Sequence, residues 1–287
     1  MSGCDDRAQK YQNDSRSSDE LIRLVLTKDA DADNDDYWRP VWTLQHRLPQ
    51  ILTPVSELIK SADAKSRETA ATILGQNGVK EKLVVGQCVD LLLGMIRQES
   101  DNGVLSSIAH AMGHLHDPRC IEVLLLLKQH PNADVRYAVV HGLSSYEDIR
   151  AIKALILLSA DQDRDVRNWA TFGIGSMVGT DIPEIREALI ARLTEADDEI
   201  RGEALVGLAQ RGDIRIVDPL LQEFKSDSPE VLRKWELINT AVDSTIHFAK
   251  TEGDQKWLPV LEKMKALGIG DALAIQAAIE RCTPKQP

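Results

Sequence analysis

The residues with the clearest capacity for chemistry are histidines near the middle of the chain. His110 and His114 are one helical turn apart, and His116 and Asp117 follow closely. Two histidines at positions i and i+4 of a helix can ligate a metal ion. No third ligand follows at a typical spacing, and the chain contains no His-Glu-x-x-His motif. The pattern favours histidines that are solvated or that cap helices, so we predict no metal and no cofactor, with ligation by these histidines as the alternative.

Two other patterns suggest chemistry and fail on inspection. The alternating carboxylates of Asp29–Asp36 resemble the start of a calcium loop, but Asn34 occupies the usual glycine position and Pro40 replaces the bidentate glutamate. Cys88 and Cys120 lie at equivalent places in two similar aliphatic segments, and none of the four cysteines forms a Cys-x-x-Cys pair. The sequence has no P-loop, dinucleotide fingerprint or Gly-x-Ser-x-Gly motif. We therefore predict no catalytic residues, although enzymatic activity stays open.

Charge and composition narrow the possible partners. The 287 residues carry 34 Lys and Arg against 45 Asp and Glu, a net charge of −11, and 43% of the chain is hydrophobic. Such a chain can build a core, but its negative charge opposes binding to nucleic acid or to an anionic membrane. No uncharged apolar stretch approaches the roughly 18 residues that a bilayer span needs. We predict a cytoplasmic protein with reduced thiols.

The helices that position these residues belong to an internal repeat. Four segments share Asp or Asn, then Arg four positions later, mostly after Val or Ile, and a small and an aliphatic residue six and seven positions after the arginine. Aliphatic segments with helical periodicity alternate with them, and no strand pattern competes. Including weaker copies, the arginine column lies at positions 39, 67, 105, 136, 167, 201 and 232. Spacings of this size are typical of a two-helix repeat.

The repeat resembles the HEAT repeat in its bacterial, PBS-lyase-like form. Residues 132–144 and 163–175 carry the resemblance most clearly, and the frame covers about residues 35–266. It implies an all-α fold, a right-handed α-α solenoid of about seven helical pairs. We expect a flexible N-terminal segment over residues 1–20 that leads into a short helix near Leu21–Leu26. A single solenoid over residues 21–287 follows, with a capping helix at 271–280 that covers the last repeat.

The resemblance also implies a structural role for the repeated charges. In HEAT repeats the Asp and Arg of the second helix form a ladder between stacked repeats. By that resemblance, the ladder would comprise Arg67, Asp134, Arg136, Asp165, Arg167, Glu199 and Arg201.

The remaining positions of the Arg-bearing helices are candidates for binding. Counting the arginine as zero, positions −1, +3, +6 and +7 are apolar or small and must face the stack, which leaves the other side of the helix to face outward. Seven of the twelve aromatic residues fall on these helices, and exposed aromatic residues beside polar ones are typical of protein-binding sites. The alternative, strongest for Trp42 and Trp235, is that the tryptophans fill gaps between repeats. The predicted protein-binding face comprises Trp38, Trp42, Glu68, Tyr137, His141, Asn168, Trp169, Phe172, Glu203 and Trp235.

These features favour a non-enzymatic protein-binding module whose partner has a basic surface. Residues 165–172 and 199–208 also resemble small bacterial HEAT proteins encoded beside Rhs-type polymorphic toxins, which implies an immunity protein that neutralises a toxin. Alternatives are a chromophore-attachment protein of the phycobilin-lyase kind and a general assembly scaffold. A HEAT-like DNA glycosylase would need a basic groove, which the outward positions do not provide.

Overall fold

A computed structural model describes residues 14–28, 35–75, 82–223 and 232–284. Residues 1–13 and the aspartate-rich segment 29–34 lie outside this range, as do the side chains of residues 232–235. All regular secondary structure within the described ranges is helical, in sixteen α-helices without a strand. The predicted all-α fold is therefore confirmed. No helix within these ranges combines the length and apolarity that crossing a bilayer requires.

The helices alternate between first and second members of helical pairs. In the numbering used here, first helices have odd numbers and second helices have even numbers. Helix α10 continues as a π-helical turn over Gly173–Met177. The helices are α1 Ser18–Leu26, α2 Asp35–His46, α3 Leu48–Ile59, α4 Ala64–Gly75, α5 Lys82–Met95, α6 Asn102–Leu115, α7 Arg119–Leu127, α8 Ala133–Leu143, α9 Ile149–Leu158, α10 Arg164–Phe172, α11 Pro183–Arg192, α12 Asp198–Gln210, α13 Val217–Glu223, α14 Leu232–Glu252, α15 Leu258–Leu267 and α16 Ala272–Cys282.

The first helix begins at Ser18, three residues before the predicted start near Leu21. The Ser17 side chain accepts a hydrogen bond from the Glu20 backbone N–H, and the Glu20 carboxylate accepts one from the Ser17 backbone N–H at 2.7 Å. This capping box satisfies two helix-terminal donors and so moves the helix start upstream of the apolar residues.

The repeated Asp or Asn of the sequence pattern is the N-cap of a second helix. The Asp163 side chain accepts hydrogen bonds from the backbone N–H groups of Asp165 and Val166 at 3.0 and 3.1 Å. Asn132 and Asp197 cap α8 and α12 in the same way. An N-cap of this type stabilises a helix by about 1 kcal/mol, which explains why the pattern begins with Asp or Asn.

The chain forms two compact units, Met1–Ala151 and Ile152–Pro287, with the boundary inside α9. In the first unit, the second helices α2, α4, α6 and α8 pack against one another in order. Small residues let their backbones approach closely. A Cβ built on Gly75 would lie 2.1 Å from the Cβ of Ala111, and one built on Gly113 would lie 2.8 Å from the Cα of Gly142. Only a glycine fits at these two crossings.

In the second unit, α10, α12, α14 and α16 pack against one another in the same order. The predicted capping helix α16 is thus the second helix of a further pair, because it follows α15 at the repeat spacing. It buries Ile275, Ala278 and Cys282. The Cys282 thiol donates a hydrogen bond to the Ala249 carbonyl oxygen of α14 at 3.3 Å. The pairing of first and second helices within each unit is consistent with the predicted α-α solenoid.

The π-helical turn after α10 is held by a buried arginine at the end of α12. The Arg211 guanidinium donates hydrogen bonds to the carbonyl oxygens of Ile174, Gly175 and Val178 at 2.8, 2.6 and 2.9 Å. These carbonyl groups belong to a helix terminus and need external donors. Arg211 therefore fixes the end of α10 against α12.

Candidate functional site

A cavity of about 330 Å³ opens on the second helices of the first unit. Its walls come from α2, α4 and α6, on which residues three, four or seven positions apart share one helix face. We call it the Trp38 cavity. Its lining residues are Trp38, Glu68, Thr72, Gly75, Ser107, His110, Ala111 and His114.

Trp38 lines the cavity and belongs to a cluster of three aromatic side chains on α2. The rings of Trp38 and Trp42 stack with centroids 6.3 Å apart and an interplanar angle of 25°. Tyr37 is fully buried and meets Trp38 edge to face at 5.0 Å. Trp38 and Trp42 are each only half-buried. The core therefore takes up Tyr37 and leaves part of both tryptophans at the surface.

His110 and His114 of α6 also line the Trp38 cavity, and His141 of α8 lies next to His110. The His110 ring lies 5.2 Å from His141, and Tyr137 lies 4.7 Å from His141, between ring centroids. Burial, with smaller contributions from His141 and His114, lowers the pKa of His110 from 6.5 to about 4. Burial also lowers the pKa values of His114 and His141. The three imidazoles are thus uncharged at neutral pH, because a charge among them would be poorly solvated.

Of the predicted histidine cluster, the structure brings His110 and His114 to the cavity and separates His116 from them. His116 is the C-cap of α6 in the left-handed conformation, and its Nδ1 lies 3.2 Å from the Ser145 carbonyl oxygen. Within the described ranges, no three His, Cys, Asp or Glu side chains are grouped in a way that could hold a metal ion.

The second unit presents a separate aromatic pair. Trp169 and Phe172 of α10 meet edge to face with centroids 5.6 Å apart, and both are half-buried. Asn168 and Glu203, predicted to face outward, are each only 4% exposed. That orientation was wrong: α12 packs between α10 and α14, so Asn168 on α10 and Glu203 on α12 are covered where these second helices meet. The side chain of Trp235 lies outside the described residues.

The arginine column closes the turn within each repeat. Arg67 Nη1 donates to the carbonyl oxygens of Ser61 and Ala62, both at 3.0 Å. Arg136, Arg167 and Arg201 repeat this geometry with the carbonyl groups six and five residues before them. Each arginine thereby ties the start of its second helix to the turn that precedes it.

Arg67, Arg167 and Arg201 also reach the next repeat, where they meet glutamates that the resemblance did not include. Arg67 forms a bidentate pair with Glu99 at 2.7 and 3.0 Å. Arg201 pairs with Glu223 at 3.0 Å, and Arg167 Nε lies 3.6 Å from Glu195 Oε1. These glutamates follow the first helix of the next repeat or end it, where the guanidinium can reach them.

The acids that the resemblance implied lie elsewhere. Asp134 is exposed, the Asp165 side chain is 67% exposed beside Arg164, and Glu199 also pairs with Arg164. A signal for two of the actual partners was present in the sequence. Glu99 and Glu195 each stand six residues before a position of the arginine column.

Sequence reasoning also missed an ion-pair row on the first helices. An Asp-x-Arg motif starts three of these segments, and each arginine bridges its own aspartate to an acid on the preceding first helix. Arg119 reaches Asp90 at 2.7 Å, and Arg215 reaches Glu187 at 2.6 Å. The motif recurs at Asp117-x-Arg119, Asp148-x-Arg150 and Asp213-x-Arg215, and the recurrence itself was the available signal.

Paired helices whose second members stack within each unit define an α-helical repeat protein. The profile of HEAT repeats matches residues 51–144, 89–175 and 152–239, three overlapping stretches that span more than half of the chain. The chain belongs to the HEAT-repeat family. The resemblance noted in the sequence is confirmed at this level.

Individual proteins resemble the chain in sequence or in fold. A segment of 96 residues is 33% identical to Protein YibA of Escherichia coli strain K12, and it covers 33% of this chain and 30% of that protein. The X-ray structure of E. coli YibA matches 98% of this chain and 97% of its own, with 26% identity and a TM-score of 0.69. The crystal structure of an engineered protein shares the fold at a TM-score of 0.51 and 20% identity, covering 91% of this chain and 77% of its own.

Proposed function

We propose that this chain is a non-enzymatic protein-binding module that uses the aromatic faces of its second helices. The observation that carries the proposal is the placement of half-buried aromatic pairs on these faces, Trp38 with Trp42 and Trp169 with Phe172. A half-buried aromatic side chain still has apolar area that a partner can cover, and residues of this type dominate binding energy at interfaces.

The charge of the chain indicates the kind of partner. The net charge of −11 attracts a basic surface and accelerates its approach. Many arginines of both units are already engaged in ion pairs, such as Arg67 with Glu99 and Arg201 with Glu223. Their charges are locally neutralised, so the excess of carboxylates determines the field that a partner meets.

The most specific form of the proposal is an immunity protein that acts in the cytoplasm and neutralises a cationic bacterial toxin domain. Its support is the acidic charge together with the resemblance of residues 165–172 and 199–208 to HEAT proteins encoded beside such toxins. An acidic repeat surface that covers a basic active site would inhibit a toxin without any chemistry of its own. This form predicts a tight complex with a single cognate partner.

The test is co-expression with the toxin domain encoded by the neighbouring gene. We expect the two proteins to co-purify and growth to be rescued, and we expect Trp169→Ala to weaken the complex by at least about tenfold, as for an interface hot spot. Leu126→Ala is the matched control, since Leu126 is 82% exposed on the first helix α7. Absence of a complex would overturn the immunity proposal, and equal effects of both variants would exclude the aromatic faces as the binding site.

A further inference from the structure

We propose that the Trp38 cavity receives an arginine side chain of the partner protein. This inference rests on the proposed function and specifies its chemistry at one place. The cavity joins an aromatic face, a carboxylate and several hydrogen-bond acceptors within one space of about 330 Å³. That volume is at the small end of ligand pockets, which suits a single side chain better than a large ligand.

The aromatic and acidic walls provide the charge complement. Trp38 and Glu68 line the same space, and the Glu68 carboxylate is half-buried. A guanidinium can stack on an indole ring and pair with a carboxylate at the same time, because it is planar and presents donors around its edge. The described lining contains one carboxylate and no lysine or arginine, so its formal charge is negative.

The remaining polar groups are suited to accept hydrogen bonds. A neutral imidazole has one acceptor nitrogen, and the lowered pKa values of His110 and His114 keep both rings neutral. Thr72 already donates its hydroxyl proton to the Glu68 carbonyl oxygen at 3.0 Å, which leaves its oxygen as an acceptor. A group with several N–H donors, such as a guanidinium, therefore fits this lining.

A lysine of the chain itself competes for the carboxylate. Lys65 Nζ lies 3.8 Å from Glu68 Oε2 and 5.7 Å from the Tyr37 ring centroid. This contact is long and partly solvated, so it is weak. A guanidinium from the partner protein would share the Glu68 carboxylate with Lys65 or displace Lys65 from it. Removing the Lys65 charge should therefore strengthen arginine binding. That expectation distinguishes a cation site from a simple apolar pocket.

The test uses Nα-acetyl-L-arginine N-methylamide as the probe and its citrulline counterpart as the uncharged isostere. Binding to the full chain is followed through the indole N–H signals of the tryptophans by NMR, with Trp38→Phe to assign the reporter. We expect the arginine probe to shift the Trp38 signal with a Kd on the order of 1–10 mM, and the citrulline probe to shift it little. Glu68→Gln should weaken binding by about tenfold, and Lys65→Gln should strengthen it about twofold.

The matched control is Glu57→Gln, which removes the same charge from an exposed position of α3 that pairs with Lys60. Equal shifts with both probes, or equal weakening by Glu57→Gln and Glu68→Gln, would overturn the inference. The outcome is separable from the proposed function. A toxin complex that tolerates Glu68→Gln would leave the binding module intact and reject the arginine site. Arginine binding to the cavity of a chain that forms no protein complex would support the arginine site and reject the binding module.

Discussion

Gly113 of α6 and Gly142 of α8 touch backbone to backbone, since a Cβ on Gly113 would lie 2.8 Å from the Gly142 Cα. This contact sets the spacing between two second helices. The spacing in turn brings His141 of α8 to 5.2 Å from His110 at the Trp38 cavity. A contact between two glycine backbones, without any side chain, thus helps to set the geometry beside the candidate site.

The first prediction concerns this contact. Gly113→Ala should lower the free energy of unfolding by about 2–4 kcal/mol, because the added methyl group collides with backbone that cannot yield locally. Urea denaturation measures the change. Gly86→Ala is the control, since a Cβ there meets only the flexible Arg119 side chain at 3.8 Å. It should raise stability by up to about 1 kcal/mol, as expected for Ala in a helix interior. A neutral Gly113→Ala would show that the two helices can separate at little cost.

The second prediction concerns the Arg67–Glu99 pair. The Glu99 side chain is only 5% exposed, and Arg67 holds the pKa of its carboxyl below the usual range. Arg67→Met should therefore destabilise the chain by about 2–4 kcal/mol and raise the Glu99 pKa, because it leaves a nearly buried carboxylate without its cation. Lys60→Met removes an exposed pair with Glu57 and should cost less than about 1 kcal/mol. Comparable losses in the two variants would contradict this account.

The third prediction concerns pH. His110, which faces His114, His141, Tyr137 and Glu68, has a folded-state pKa of about 4 against an ordinary value of 6.5. Between these values the unfolded chain binds a proton that the folded chain does not, so stability falls as pH drops through this window. Between pH 7 and pH 4, the free energy of unfolding should fall less in His110→Gln than in the parent chain, by on the order of 2–3 kcal/mol, measured by denaturant midpoints.

His247 provides the control for this experiment, because it is exposed on α14. His247→Gln makes the same exchange at the surface and shows the effect of the substitution itself. A profile of His110→Gln that runs parallel to the parent would mean that His110 titrates normally in the folded chain.

The fourth prediction concerns the thiols. Burial raises the pKa values of Cys88 and Cys120 to about 11, so the reactive thiolate is scarce and inaccessible in the folded chain. In a Cys4→Ser variant, which removes the cysteine outside the described residues, labelling by a thiol reagent should proceed only on unfolding. Rapid labelling at pH 8 in the absence of denaturant would contradict the burial of these side chains.

The sequence by itself determined the repeat and the helical class, and it contains the recurrent Asp or Asn whose capping role was not predicted. Periodic aliphatic residues and recurrent Asp or Asn are local signals, and Asp163 caps its own helix through neighbours in the chain. Trp38 and Trp169 were likewise identified on the correct helices and are half-buried there. What a residue does within one helix can be inferred from its spacing.

Only the tertiary structure decided which residues meet across repeats. Asn168 and Glu203 were predicted to face outward from the pattern of one helix, but neighbouring second helices cover their side chains. Arg67 selects Glu99, 32 residues away, because the stacking distance and the bend of the turn place that glutamate within reach. The Trp38 cavity likewise exists because α2, α4 and α6 pack side by side, with α4 and α6 meeting closely at Gly75 and Ala111. Such distances depend on packing between elements, which a one-dimensional pattern does not contain.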